Sequence, residues 1–141
     1  SEKFRQLKKK YPQYDSHAYE FVHDALDYTI KEIVKEKRYV TASELLEGFR
    51  AHAIQEFGCL AKTVFNEWNV RTTDDIGEIV FHLVEYDLMG KQPRDEKSAF
   101  HQVYTFNEVF DIKPMFEYEQ GIWKVNYIPK NKPIGKRKNA S

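Results

Sequence analysis

The sequence predicts a mainly α, single compact domain of four to five helices with a small C-terminal β-hairpin, and three observations predict it. Four successive segments between residues 16 and 89 carry apolar side chains at i, i+3, i+4 spacing, the stripe of a helix that buries one face. Residues that start or stop helices, among them Asp15, Thr41, Gly58 and Thr72, stand at the segment ends. Beyond residue 110 the pattern changes to period two around Gln120-Gly121.

The first helix spans 16–37. Ala18, Phe21, Val22, Ala25, Leu26, Thr29, Ile30, Ile33 and Val34 form its stripe, and Asp15 or Ser16 caps it. The second follows Val40, where Thr41 and Glu44 have the spacing of a capping box and Leu45, Leu46, Phe49, Ala53 and Phe57 face inward. Gly58 supplies a left-handed stop. A shorter helix over 59–69 buries Leu60, Ala61, Val64, Phe65 and Trp68. The fourth, over 73–89, is capped by Thr72 or Thr73, with Asp74 and Asp75 at the positive end of its dipole. Ile76, Ile79, Val80, Leu83 and Val84 make its main stripe, widened by Phe81 and Leu88, so this helix is expected at the centre. Gly77 inside it costs about 1 kcal/mol relative to alanine, which a close approach by another backbone would explain.

After Gly90, "GKQPRDEK" reads as a turn or loop, and residues 98–104 fit either helix or strand. Thr105 and Glu108 repeat the capping spacing ahead of a short helix. In "MFEYEQGIWKVNYI" a two-residue turn at Gln120-Gly121 pairs Phe116 with Val125 and Tyr118 with Trp123 on one face, and Glu117 with Lys124 on the other. The aromatic face is expected to lie on the helices.

Residues 41–89 and "VYTFNEVF" at 103–110 resemble an uncharacterised bacterial domain family noticed chiefly in planctomycetes and verrucomicrobia. The resemblance rests on "TASELLEGFRAHAIQEFG", the alanine-valine-tryptophan-valine spacing from Ala61 to Val70, and the run from Thr73 to Glu85. It implies one helical domain over roughly 41–110; Thr41, Glu44, Gly58, Trp68, Thr73, Asp75 and Gly77, by their capping, turn and packing positions, are expected to have structural roles. The resemblance brings no activity and no catalytic residues.

Net charge is zero, but the sum hides a pattern. Residues 1–10 carry five basic groups and one acid, and residues 130–141 carry five and none, leaving 12 bases against 21 acids in 11–129, a net of −9. The chain therefore divides into a basic N-terminal segment (1–10), an acidic helical domain (11–129) and a basic tail (130–141). Short charged ends are commonly solvated or fold back on the body. Lys8, Lys9, Lys10, Lys136, Arg137 and Lys138, with Tyr11, Tyr14 and Tyr127 nearby, are the candidate contacts to single-stranded nucleic acid.

Helix 59–69, the turn "NVRT" and helix 73–89 have helix-turn-helix proportions, and the hairpin stands where a wing would, so a winged-helix-like layout is open. Helix 73–89 is nonetheless not expected to read DNA. Its leading end offers Asp74, Asp75 and Glu78, which repel the phosphates that supply most affinity.

Glu20 and His23 have the Glu-x-x-His spacing of di-iron bundles, but the second such pair is missing. His52 with Glu56, and Glu78 with His82 and Glu85, share helix faces in the same way. Cys59, the one cysteine, opens a helix without an oxyanion loop beside it, so neither a catalytic residue nor a cofactor is expected. It forms no internal disulfide, and no stretch is long and apolar enough to span a membrane, which together point to the cytoplasm. The leading expectation is a non-catalytic protein-interaction module meeting a protein partner or itself through an acidic helical surface with exposed aromatics. A nucleic-acid-associated protein using its basic ends comes next, then a metal-binding helical bundle.

Overall fold

A computed structural model of the chain describes residues 1–90 and 96–130. The fold is mainly helical with a C-terminal two-stranded antiparallel hairpin, as the periodicities predict. Helix α1 (Glu2–Lys10) starts at Ser1, whose hydroxyl accepts from the Phe4 amide, and buries Leu7 fully. Residues 2–10 are therefore folded back on the body. Helix α2 (Ser16–Tyr28) is capped by Asp15 and buries Ala18, Tyr19, Phe21, Val22 and Ala25.

The expected long helix does not run on to residue 37. From Thr29 to Val34 the backbone widens into a π-helical turn that ends at Lys35 in the left-handed region. The Thr29 hydroxyl donates to the Ala25 carbonyl at 2.6 Å, a back-bond that commonly bends a helix. Thr29 also lies against Gly48 of helix α3 (Ala42–Phe57), close enough that no other residue's Cβ would fit there.

Helix α3 has the predicted capping box. Glu44 Oε1 accepts from the Thr41 amide at 3.0 Å while Thr41 Oγ1 accepts from the Glu44 amide at 3.1 Å. Arg38 grips the same carboxylate through both terminal nitrogens and holds its pKa down to about 2. A 3₁₀ turn (Gly58–Leu60) then leads into helix α4 (Ala61–Glu67). Leu60, expected in the buried stripe, lies in that turn and is exposed, because the tighter winding rotates it away from the face that Ala61 and Phe65 bury.

Helix α5 (Thr73–Glu85) is central. Ile76, Ile79, Val80 and Leu83 are all buried, each contributing on the order of 1.5–3 kcal/mol by leaving water. Thr72 is the cap, with Asp75 closing its capping box. Thr73 is instead a buried tie, its hydroxyl donating to the Phe100 carbonyl at 2.6 Å. Gly77 does mark a close approach, but to a side chain. A Cβ there would sit 2.7 Å from Cβ of Phe100, which a 3₁₀ turn (Lys97–Phe100) pins into the core.

Residues 98–104 are thus neither regular helix nor strand. Thr105 caps the one-turn helix α6 (Phe106–Phe110), and the chain closes with strands β1 (Ile112–Glu119) and β2 (Ile122–Pro129). Phe49, Phe65, Phe106 and Phe110 form a contiguous aromatic core, which Phe21, Phe57 and Trp68 extend toward α2. The predicted loop over 90–97 lies mostly outside the described residues, as does the tail with Lys136, Arg137 and Lys138.

Candidate functional site

The hairpin register is the predicted one: Phe116 opposite Val125, Glu117 opposite Lys124, Tyr118 opposite Trp123. Gln120 and Gly121 both have positive φ, 52° and 80°, the signature of a type I′ turn whose twist suits two strands. The base of the hairpin is anchored. Ile112 is buried, its carbonyl accepts from the Cys59 thiol at 3.5 Å, and the Lys130 amide donates to the Asp111 carbonyl. Gly58, at φ +52°, is where the hairpin meets the helices: a Cβ there would lie 2.5 Å from the Tyr127 hydroxyl oxygen. Glycine at 58 therefore serves both the backbone turn and the contact.

Beyond this base the expectation fails. The aromatic face does not lie on the helices. Phe116 is 64% exposed, Tyr118 62%, Trp123 67% and Val125 47%. Among the described residues the hairpin is anchored at its base, near Gly58, Ile112 and Tyr127, and it carries its outer half past the helices into solvent. Tyr118 and Trp123 pack on each other, ring centroids 5.0 Å apart. Alternation puts Pro114, Phe116, Tyr118, Trp123, Val125 and Tyr127 on one face and every charged residue of the strands, Lys113, Glu117, Glu119 and Lys124, on the other. The result is an exposed face with no charge on it.

The remaining candidate groups are placed as follows. Asp75 is occupied inside the fold, Oδ2 accepting from the Arg71 and Thr72 amides and Oδ1 from the Tyr14 hydroxyl at 2.6 Å. Asp74 pairs with His101 at 2.9 Å, a contact that lowers the carboxyl's pKa. Lys8 donates to the Tyr14 carbonyl and lies over the Tyr19 ring, and Lys10 pairs with Glu85 at 2.7 Å, while Lys9 is exposed. The N-terminal tyrosines are likewise committed: Tyr11 stacks on His82 and donates to Glu85, and Tyr14 is buried.

His82 is only 3% exposed, its Nδ1 2.8 Å from the Tyr19 hydroxyl and its Nε2 3.6 Å from Glu78. Burial pushes the imidazole's pKa down and the Tyr19 hydroxyl's up. Sequence spacing grouped His82 with Glu78 and Glu85 as ligands on one helix face. The tyrosines that cover it come from α1 and α2, which no local pattern in residues 73–89 could reveal. His23 has Asp24 and Asp27 within reach of one another's ligand atoms, all exposed, and Glu20 is not part of that group. His52 lies between the rings of Phe21 and Tyr28, and Cys59 faces the Ile112 carbonyl. Trp68 is part of the aromatic core. An apolar pocket of about 160 Å³ between α2, α3 and α5 is lined chiefly by Leu26, Val40, Leu45, Val80, Met89 and Phe100.

No helix among the described residues is long and apolar enough to cross a membrane. Comparison of the chain with protein-family models, curated proteins and solved structures gives no match. The site must therefore be read from its own chemistry.

Proposed function

We propose that this domain is a non-catalytic interaction module that meets a protein partner through the apolar face of the β1–β2 hairpin. One observation carries the reading: three aromatic side chains and a valine stand together in solvent on a face whose alternation is that of a strand buried on one side. With roughly two thirds of each ring's 150–250 Å² in water, the patch amounts to about 400 Å², in the range where a monomer's largest apolar patch is often functional. The contact surface is thus assigned to the hairpin rather than to the acidic helices.

Cross-linking in native extract tests this. Partners captured by the wild-type chain should be lost by Phe116→Ser/Trp123→Ser and kept by Tyr39→Ser, which changes an equally exposed ring outside the strands. Equal capture by all three contradicts the proposal.

A second reading has one observation in its favour. The same exposed rings precede Lys130 and the basic sequence "KNKPIGKRK", a combination suited to stacking on single-stranded nucleic acid. Against it, Lys124 and Lys130 already pair with Glu119 and Asp111. Binding of an oligonucleotide that weakens steeply with salt would favour this reading.

A further inference from the structure

We propose that the occupant of the hairpin face is a second copy of this chain, stacked hairpin to hairpin across a two-fold axis; the inference rests on the hairpin being the interaction surface. Charge favours it. All four charged residues of the strands lie on the opposite face, so the aromatic face neither selects a charged partner nor repels its own image. An uncharged aromatic surface is matched by another of the same kind, and an identical copy supplies one.

So does architecture. A two-stranded hairpin has little stability unless its apolar face is covered. Here the helices cover only the base, at Ile112 and Tyr127, and leave Phe116, Tyr118, Trp123 and Val125 without a layer above them. Two hairpins packed face to face, about 10 Å apart, make a small β-sandwich in which each provides the layer the other lacks. A two-fold axis makes the contact isologous and closes it at two copies.

Area sets the strength. About 400 Å² from each copy gives a buried total near 800 Å², below the roughly 1,200–2,000 Å² of stable interfaces. The contact is therefore a weak, reversible one rather than a permanent dimer.

Sedimentation equilibrium of the full chain from about 5 to about 500 µM, concentrations at which a weak contact populates, tests this. The expected result is a monomer–dimer equilibrium that does not weaken between about 50 and about 500 mM NaCl, because no charge lies in the contact. Phe116→Ser/Trp123→Ser should weaken it tenfold or more, and Tyr39→Ser should leave it unchanged. All these positions are exposed in the monomer, so a single cooperative thermal unfolding transition of a dilute sample verifies that the variants fold.

A chain that stays monomeric throughout, a dimer indifferent to Phe116→Ser/Trp123→Ser, or one that falls apart in salt overturns the proposal. A monomer whose hairpin variant nevertheless loses its cross-linked partners would remove the second copy and leave the hairpin as a docking face for another protein.

Discussion

Asp75 shows how much of this fold is carried by single side chains at junctions. Its two oxygens gather the Arg71 and Thr72 amides and the Tyr14 hydroxyl, so one carboxylate starts α5 and ties it to the segment before α2. The capping half of that role is legible from spacing; the Tyr14 bond, 61 residues away in sequence, is not. Gly77 is similar. Its helical cost is visible in the sequence, but the neighbour that requires it, Phe100, sits in a segment with no regular period. Gly77→Ala gains about 1 kcal/mol of helix propensity and meets Phe100 Cβ at 2.7 Å, an overpacking that costs about 1–3 kcal/mol. Chemical denaturation should show a net loss of stability. Gly90→Ala, with nothing within 4 Å, should change stability little.

At the scale of elements, α1 lies against the body and the outer half of the hairpin stands in solvent. The lysine-rich run at 3–10 reads as an end that is solvated or folds back, and the fully buried Leu7, with Phe4 on the Tyr19 ring and Lys10 on Glu85, fixes it to the body. Leu7→Ala should destabilise the whole domain by about 2–5 kcal/mol in urea unfolding, with one cooperative transition. A solvated end would give no loss.

The hairpin's register and turn were legible to the residue because strand alternation and Gln-Gly are local. Its seat was not, because alternation reports that a face is meant to be covered and is silent about what covers it. Phe116→Ser/Trp123→Ser removes one partner from each of two cross-strand pairs and should cost the monomer about 0.4–2 kcal/mol, whereas Ile112→Ala at the buried base should cost about 2–5 kcal/mol. The π-helical turn over 29–34 was illegible for a related reason. An apolar stripe fits α and π winding alike over so short a run, and the cause, Thr29 bonded to Ala25 beside Gly48, is a tertiary contact.

The molecule as a whole joins α1, α2 and α5 around His82, and this sets its acid response. The groups facing the imidazole are Lys10 at the end of α1 and Tyr11 just after it, Tyr14 and Tyr19 from the turn before α2 and from α2, Glu78 and Glu85 from α5, and Lys97. Burial outweighs the two glutamates, so the folded-state pKa lies below the ordinary value of 6.5. As pH falls the unfolded chain therefore takes up this proton first. The contribution is complete above about pH 6.5 and is lost as pH drops from there toward the lower folded value. Thermal unfolding between about pH 7 and pH 5 should show that decline, and His82→Phe should flatten it.

Fold class and the inward face of α5 followed from periodicity, because helices bury stripes whichever neighbours they meet. The interaction surface did not, since exposure belongs to the assembled molecule and not to any segment. That surface is best tested through Trp123 itself, as the single tryptophan of a Trp68→Phe chain, by acrylamide quenching across a dilution series. In dilute samples Trp123, two thirds exposed, should be readily quenched, and it should become protected as concentration rises or a partner is added. Protection that is already complete at high dilution would mean that the aromatic face is covered within the single chain, and would contradict the assignment.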